Sequence, residues 1–324
     1  MRGTCAGLAA LGLMLTAAPA PAQTSYPTQT VHILVGFTAG TAPDIVARVL
    51  AERFAASWGQ PVVVENVTGV NGNLACGRVG RSPPDGYVLV MCSNGSLTVG
   101  PSLYVKLGFD PAKDFAPIRR VFVASNILVV PPDVPVKSIP ELVALAKAKP
   151  GQLTYAHTGI GSSQHIAAEL FKYMTQTDIR GVAYRGTTAV LPDLLAGRLT
   201  MSFSNISNVL PLVREGKLRG FAVSSRKRSG AAPELPTMIE MGYPDFEAVP
   251  WFGLLAPAGT PAAIIDKIQA ETTRVLTIPA VHDHLAKLGI DVIGSTPAEF
   301  STAITTETAQ MAKLIKAAGI QRIQ

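Results

Sequence analysis

The sequence predicts an α/β protein of two domains with a hinge and an interdomain cleft, and three observations carry that expectation. At 324 residues the chain exceeds one average domain and is long enough to bury two cores of moderate size. A strand, a short turn rich in Gly, Ser and Thr, and a helix recur along it, the alternation of a mostly parallel sheet covered by helices on both faces. The alternation changes character after Asp110-Pro111 and then resumes, so a second α/β unit is expected.

In chain order, residues 31–37 read as a strand. Residues 43–58 read as a helix, with Ile45, Val46, Val49, Leu50 and Phe54 at helical spacing before Gly59. A strand over 61–67, a turn rich in Gly and Asn, a helix near 73–80 and a strand over 87–92 follow. Residues 115–130 form a long apolar, β-branched stretch suited to crossing from one domain to the other. Ser138-Ile139-Pro140-Glu141 is a capping box opening a helix to Lys147. Strands over 153–158, 179–184, 199–204 and 218–224 are separated by helices at about 164–175, 187–196 and 206–215. A further apolar strand near 248–257 contains Trp251. Thr260-Pro261 and Thr296-Pro297 each read as an N-cap followed by Pro at the first helical position, the latter with Glu299 completing a capping box. If these last helices return to the first unit, domain 1 comprises 23–125 plus 246–324 and domain 2 comprises 126–245, with two strands crossing beside a hinge.

Composition removes several classes. Hydrophobic residues make up 48% and charged residues 15%, and Gly 29 and Pro 25 are scattered rather than clustered, which excludes disordered, collagen-like and coiled-coil chains. The formal charge is +6, yet the densest basic group is Arg226-Lys227-Arg228 and no aromatic residues interleave it, so no nucleic acid partner is expected. A mild positive field suits small anionic ligands better. Residues 1–22 combine the basic Arg2, an apolar run over 6–18 and the exit Ala20-Pro21-Ala22, the three parts of a signal peptide cleaved after about Ala22. That implies export, most simply to a bacterial periplasm. The apolar run is too short for a membrane anchor, and Cys5 lies too early to be a lipid-anchored cysteine. Cys76 and Cys92 either form a disulfide or remain two buried thiols. Neither has a partner at metal-ligand spacing, and no metal or cofactor is expected.

Four turns run from a strand end to a helix start through small or hydroxylated residues: 37–44, 93–96, 158–165 and 204–207. In open parallel sheets ligands bind beyond the carboxyl ends of strands, where helix N-termini offer unpaired N–H groups and partial positive charge. A cleft lined by such turns suits a small carboxylate. Each turn also has a purely structural use. Thr41 and Asp44 fit the N-cap and N3 positions of a capping box, Ser162 and Ser163 can cap the helix at 164, and Asn205 the helix at 206. Capping and ligand binding are compatible at one helix end. Enzymatic motifs fare worse: Gly159–Gln164 lacks the third glycine of a dinucleotide fingerprint and is not a nucleophile elbow, and no phosphate-binding loop is present. Ser163, His165 and Asp44 contain the residue types of a hydrolytic triad, but Ser163 and His165 lie two apart at a helix start and do not face one another.

The stretches Gly59–Asn66, Pro84–Tyr87, Tyr104–Pro117, Ala146–Gly151, Gly159–Phe171, Gly197 with Leu210-Pro211, and Trp251–Pro261 together resemble the solute-binding proteins of tripartite tricarboxylate transporters, the Bug or TctC-like family, over essentially the whole mature length. The resemblance implies a periplasmic-binding-protein fold, a type II-like Venus flytrap that catches a small organic carboxylate and delivers it to membrane permease subunits. It implies a monomer without enzymatic activity or cofactor. The family's first turn, P-F-x-P-G-G-x-x-D, aligns with Gly36–Asp44. Phe37, Gly40 and Asp44 keep the pattern, while Gly36, Ala39 and Thr41 depart from it and Pro43 is unusual. Carried over residue by residue, the ligand-binding positions are Phe37, Thr38, Gly40, Asp44, Ser93, Asn94, Gly161, Ser162, Ser163 and Asn205. His165 is then a support behind the turn rather than a base. A neutral Asn205 favours a dicarboxylate or an aromatic acid over an amino acid, within an expected ligand class of di- or tricarboxylates and aromatic acids. The alternatives are a periplasmic hydrolase using Ser163 and His165, and a carboxylate sensor feeding a signalling system.

Overall fold

The computed structural model describes residues 26–246, 248–317, 319–320 and 322–323. The expected signal peptide over 1–22, with Arg2, Cys5 and the exit at Ala22, lies outside the described residues. The first repeats are β1 (Val31–Val35) into α1 (Ala42–Trp58), β2 (Val62–Asn66) into a 3-10 turn (Val70–Gly72) and α2 (Asn73–Val79), and β3 (Val88–Ser93) into a π-helical segment (Gly95–Val99) continued by α3 (Gly100–Leu103). β4 (Phe115–Ala124) ends at Ser125, where β5 (Asn126–Val130) begins. Next come α4 (Ile139–Ala148), β6 (Thr154–His157), α5 (Ser163–Thr175), β7 (Arg180–Ala183), α6 (Thr187–Leu195), β8 (Met201–Asn205), α7 (Ile206–Arg214) and β9 (Arg219–Val223). The chain returns through β10 (Trp251–Pro257), α8 (Ala262–Leu276), α9 (Pro279–Lys287), β11 (Ile290–Val292) and α10 (Pro297–Ala317).

Two sheets result, ordered β11-β4-β10-β3-β1-β2 and β7-β6-β8-β5-β9. Each has a parallel heart, β2-β1-β3 in one and β7-β6-β8 in the other. The remaining pairs, made by β10, β4 and β11 in the first sheet and by β5 and β9 in the second, are antiparallel. Both sheets are therefore mixed rather than mostly parallel. The physical reason is the crossing itself: a strand that carries the chain to the other sheet and one that brings it back cannot both run with the βαβ repeats. The stretch 115–130 is accordingly two strands, split at Ser125 between the sheets.

Alternation of side chains places a core on each face of each sheet. From β1, Ile33 and Val35 enter one cluster and Leu34 the opposite one. From β5, Leu128 and Val130 face one cluster, Ile127 and Val129 the other. The cluster beneath the second sheet also takes in Val99, Leu103, Tyr104 and Ile315, so the segment after β3 and the end of α10 pack against the second sheet. The first half of α10 packs against the first, through Phe300 and Ile304. Trp251 Nε1 donates to Glu307 Oε2, and the Arg120 guanidinium lies over the Trp251 ring at 4.9 Å, fastening this helix to β4 and β10 of the first sheet.

The caps at Ser138 and Thr296 follow the sequence, and that at Thr260 shifts. Thr296 and Glu299 exchange hydrogen bonds at 2.8 and 3.2 Å, and Ser138 Oγ accepts from Glu141 N at 3.3 Å. At α8 the N-cap is Pro261 rather than Thr260, whose hydroxyl instead donates to Pro257 O at 2.7 Å. The helical run 95–103 escapes sequence patterning because Gly95, Thr98, Val99, Gly100 and Pro101 are poor helix formers. Burial of Leu97, Val99 and Leu103 holds it in place. The short α9 and β11 were likewise not expected as separate elements.

Cys76 on α2 and Cys92 on β3 are joined by a disulfide spanning 16 residues. Closing a loop of this length restricts the unfolded chain by about 3 kcal/mol. Replacing both cysteines by Ala is expected to lower the unfolding free energy by about 2–4 kcal/mol. Urea denaturation of the two proteins checks this; equal midpoints would show that the bond adds no stability.

Candidate functional site

The carboxyl ends of all the parallel strands point to the space between the sheets. After β1 the chain turns through Gly36, whose missing side chain lets the turn after β2 approach: a Cβ there would lie 2.4 Å from the Gly72 Cα. Phe37 stands edge-on to Phe252 at 5.4 Å. Thr41 occupies the N-cap of α1 but caps no amide with its side chain; its hydroxyl donates to Thr38 O at 2.7 Å. Asp44 reaches back past the N-cap, accepting from Gly40 N at 2.9 Å, and also accepts from Arg48 Nε at 3.0 Å and Asn66 Nδ2 at 2.8 Å. Burial pushes its carboxyl up, but these hydrogen bonds and the Arg48 charge outweigh that and hold it below the usual carboxylate range. The capping box expected at Thr41 and Asp44 is thus replaced by a tie between Gly40, Asp44 and Asn66, because Asp44 finds stronger donors than its own N-cap.

From the second sheet, the turn 158–162 bends through Gly159 and Gly161 at positive φ. Ser162 caps α5, its Oγ accepting from His165 N at 3.3 Å. The ring of His165 sits behind the turn, 5.1 Å from that of His157. Its Nδ1 accepts from Gly161 N at 3.4 Å, and His157 Nδ1 accepts from Gly159 N at 3.2 Å. Asn205 caps α7 through Oδ1, which accepts from Ser207 N and from the Ser207 hydroxyl. With His165 turned onto Gly161, the hydrolase alternative lacks a base directed at Ser163.

The turns meet across a narrow cleft, partly open to solvent. Of the residues expected from the sequence, Phe37, Ser93, Asn94, Ser162, Ser163 and Asn205 line it. Thr38 lines an adjoining chamber and Gly161 a cavity on the hinge side, whereas Gly40 and Asp44 line none of these and support the first turn from behind. Helix starts dominate the wall: Thr41–Pro43 of α1, Gly95 of the π-helical segment, Ser162–Gln164 of α5, Thr187 of α6, and Asn205 and Asn208 of α7. No Lys, Arg, His, Asp or Glu is among its described lining residues. The positive character of the cleft therefore comes from the unpaired first-turn amides and helix dipoles.

Asn71 completes the site and was not singled out from the sequence. It sits in a left-handed conformation, φ 56, in the turn after β2, with its side-chain Nδ2 buried and without a partner. A Cβ added to Gly95 would lie 2.5 Å from that Nδ2 and 2.9 Å from Gly161 O, so the two lobes close directly on one another at this point. The available signal was Asn followed by Gly in a strand-to-helix turn, Asn being the residue type that tolerates left-handed backbone best apart from glycine.

The sequence profile of the family described as "Tripartite tricarboxylate transporter family receptor" matches residues 46–320. The protein BugT of Bordetella pertussis is 34% identical over 317 residues, 96% of this chain and 97% of that protein. Among solved structures, Rpa4515 of R. palustris with adipate superposes with a TM-score of 0.88 at 33% identity, covering 92% of this chain and 100% of that one. MatC from Rhodopseudomonas palustris with bound malate gives 0.84 at 30% identity, covering 90% and 100%.

The histidine pair behind the 158–162 turn has a consequence for stability. Burial, and then the neighbouring His157, push the His165 imidazole down to about 4, with Glu169 opposing and Lys172 adding to the shift. Burial lowers His157 as well. Both rings must be neutral at Nδ1 to accept the glycine amides. The unfolded chain takes up these protons as pH falls through about 6.5 while the native state does not, so stability rises with pH across this window. The native protein is expected to lose up to about 3 kcal/mol between pH 7 and pH 4.5, before Asp44 begins to protonate, and to change little above pH 7. His165→Gln should flatten the profile. Urea midpoints measured from pH 4.5 to 7.5 test this, and a wild-type midpoint independent of pH there would refute it.

Proposed function

The chain belongs to the tripartite tricarboxylate transporter receptor family, and from that premise we propose that it closes on a small organic carboxylate, a di- or tricarboxylate or an aromatic acid, and presents it to membrane permease subunits. The observation that carries this reading is the convergence of helix N-termini and the unpartnered Asn71 Nδ2 on a cleft with no charged side chain among its described lining residues. A carboxylate supplies the acceptors that those donors lack, and each charge-assisted hydrogen bond contributes about 1.5–3 kcal/mol. Adipate and malate, which the two solved relatives were determined with, belong to the same chemical class.

Export with cleavage after about Ala22, a division into 23–125 plus 246–324 and 126–245, and a monomeric state belong to the same proposal. A ligand held between the lobes binds the closed form better than the open one and shifts the hinge towards closure. Ser125, between β4 and β5, and the residues between β9 and β10 are the places where the chain crosses. Ser162 is assigned mainly to holding α5, while Ser163, free of the N-cap position, faces the ligand together with Asn94, Asn71 and Asn205.

Calorimetry and thermal shift with a panel containing adipate, malate, tricarboxylates, aromatic acids and amino acids test the reading. An acid present at about 100 times its dissociation constant should add about 2.7 kcal/mol of stability. Asn71→Ala with Ser163→Ala is expected to weaken binding of that acid by roughly a hundredfold while leaving the fold intact. Absence of binding by every acid in the panel would overturn the receptor reading. Gly95→Ala should block closure, since its methyl would meet both Asn71 and Gly161. Small-angle scattering should then show no compaction on adding the acid, and compaction equal to that of the parent protein would count against this closure contact.

A further inference from the structure

The cleft continues into a second chamber on the open side, sharing Phe37, Thr41, Asn71, Thr158 and Thr187 with it. The new walls are the turn after β2, Thr68–Gly72, and the turn after β7, Tyr184–Thr187. Its single charged residue among those described is Arg185. That guanidinium is exposed and makes no ion pair or hydrogen bond with any described residue. The arginine next in sequence, Arg198, is by contrast tied to Asp193, as is the hydroxyl of Tyr184. Two polar atoms here are buried and lack partners: Asn71 Nδ2, on a residue only 6% exposed, and Thr38 Oγ1. A Cβ added to Gly186 would lie 3.1 Å from the Thr38 Cγ2 and 3.4 Å from its Oγ1, so the Arg185 turn rests against Thr38 when the lobes are closed.

A cation with no counter-charge and two unsatisfied polar atoms define a place for an anionic group additional to the one at the helix N-termini. We infer that this chamber is a second carboxylate subsite, with Arg185 as the residue that selects an elongated ligand carrying an acid at both ends. The first carboxylate lies against the α5 and π-segment starts, the carbon chain passes Phe37 and Thr158, and the second carboxylate meets Arg185 and the Thr38 hydroxyl. Asn71, which lines both spaces, stands between the two ends. The inference rests on the receptor reading and adds to it a length and charge preference set by one side chain.

Calorimetry with straight-chain dicarboxylates of four to eight carbons, each beside the monocarboxylate of equal length, separates the two. The unmodified chain should bind at least one dicarboxylate about tenfold or more tightly than its monocarboxylate counterpart. Arg185→Gln should remove that advantage while leaving the monocarboxylate affinity unchanged, and Arg185→Lys should restore part of it. Arg185 is exposed, so its replacement does not threaten the fold; Thr38→Val, which keeps the shape, gives a second and smaller loss of dicarboxylate affinity. If dicarboxylates bind and Arg185→Gln leaves the ratio as it was, the subsite is overturned and the receptor reading stands. If the unmodified chain binds none of the acids, both fall.

Discussion

A helix cannot satisfy the amides of its own first turn, and this protein gathers several such turns at one place. Water fills that role on an ordinary surface. Here α1, α5, α6, α7 and the π-helical segment start at the cleft, at the carboxyl ends of strands. Donors crowded into a partly closed space of low dielectric demand an acceptor. The rest of the structure can be understood as scaffolding that brings these helix starts within reach of one another.

That scaffolding depends on close approach. Glycine stands at 36, 95 and 159 because the neighbouring turns leave no room for a larger residue or require its backbone freedom. The first turn is then stiffened by Asp44, whose carboxylate joins Gly40, Arg48 and Asn66. The second is stiffened by two neutral histidines that accept glycine amides. Asp44 and the two histidines thus stand behind the cleft, where they fix its shape, and backbone and amide donors stand in front.

Connection between the lobes is equally economical. The same chain crossings that make both sheets mixed also limit how the lobes can move, and α10 spans the pair, with Phe300 and Ile304 on one core and Ile315 on the other. Trp251, Glu307 and Arg120 fasten that helix to the returning strand. Each sheet has a core on both faces, and the cluster beneath the second sheet also holds Val99, Leu103 and Tyr104 from the segment after β3.

Local patterning was enough to reveal the strand–turn–helix repeats, the Ser138 and Thr296 caps, and the strand-end turns carrying Phe37, Ser93, Asn94, Ser162, Ser163 and Asn205. Those features depend on periodicity and turn chemistry within a few residues, which a sequence states directly. Tertiary structure decided the rest. It alone tied Asp44 to Gly40, Arg48 and Asn66 instead of a capping box, joined Cys76 to Cys92, held 95–103 helical against its composition, and left Asn71 Nδ2, Thr38 Oγ1 and Arg185 without partners among the described residues around one space. Which polar group is satisfied depends on neighbours far away in the chain, and no local pattern records them.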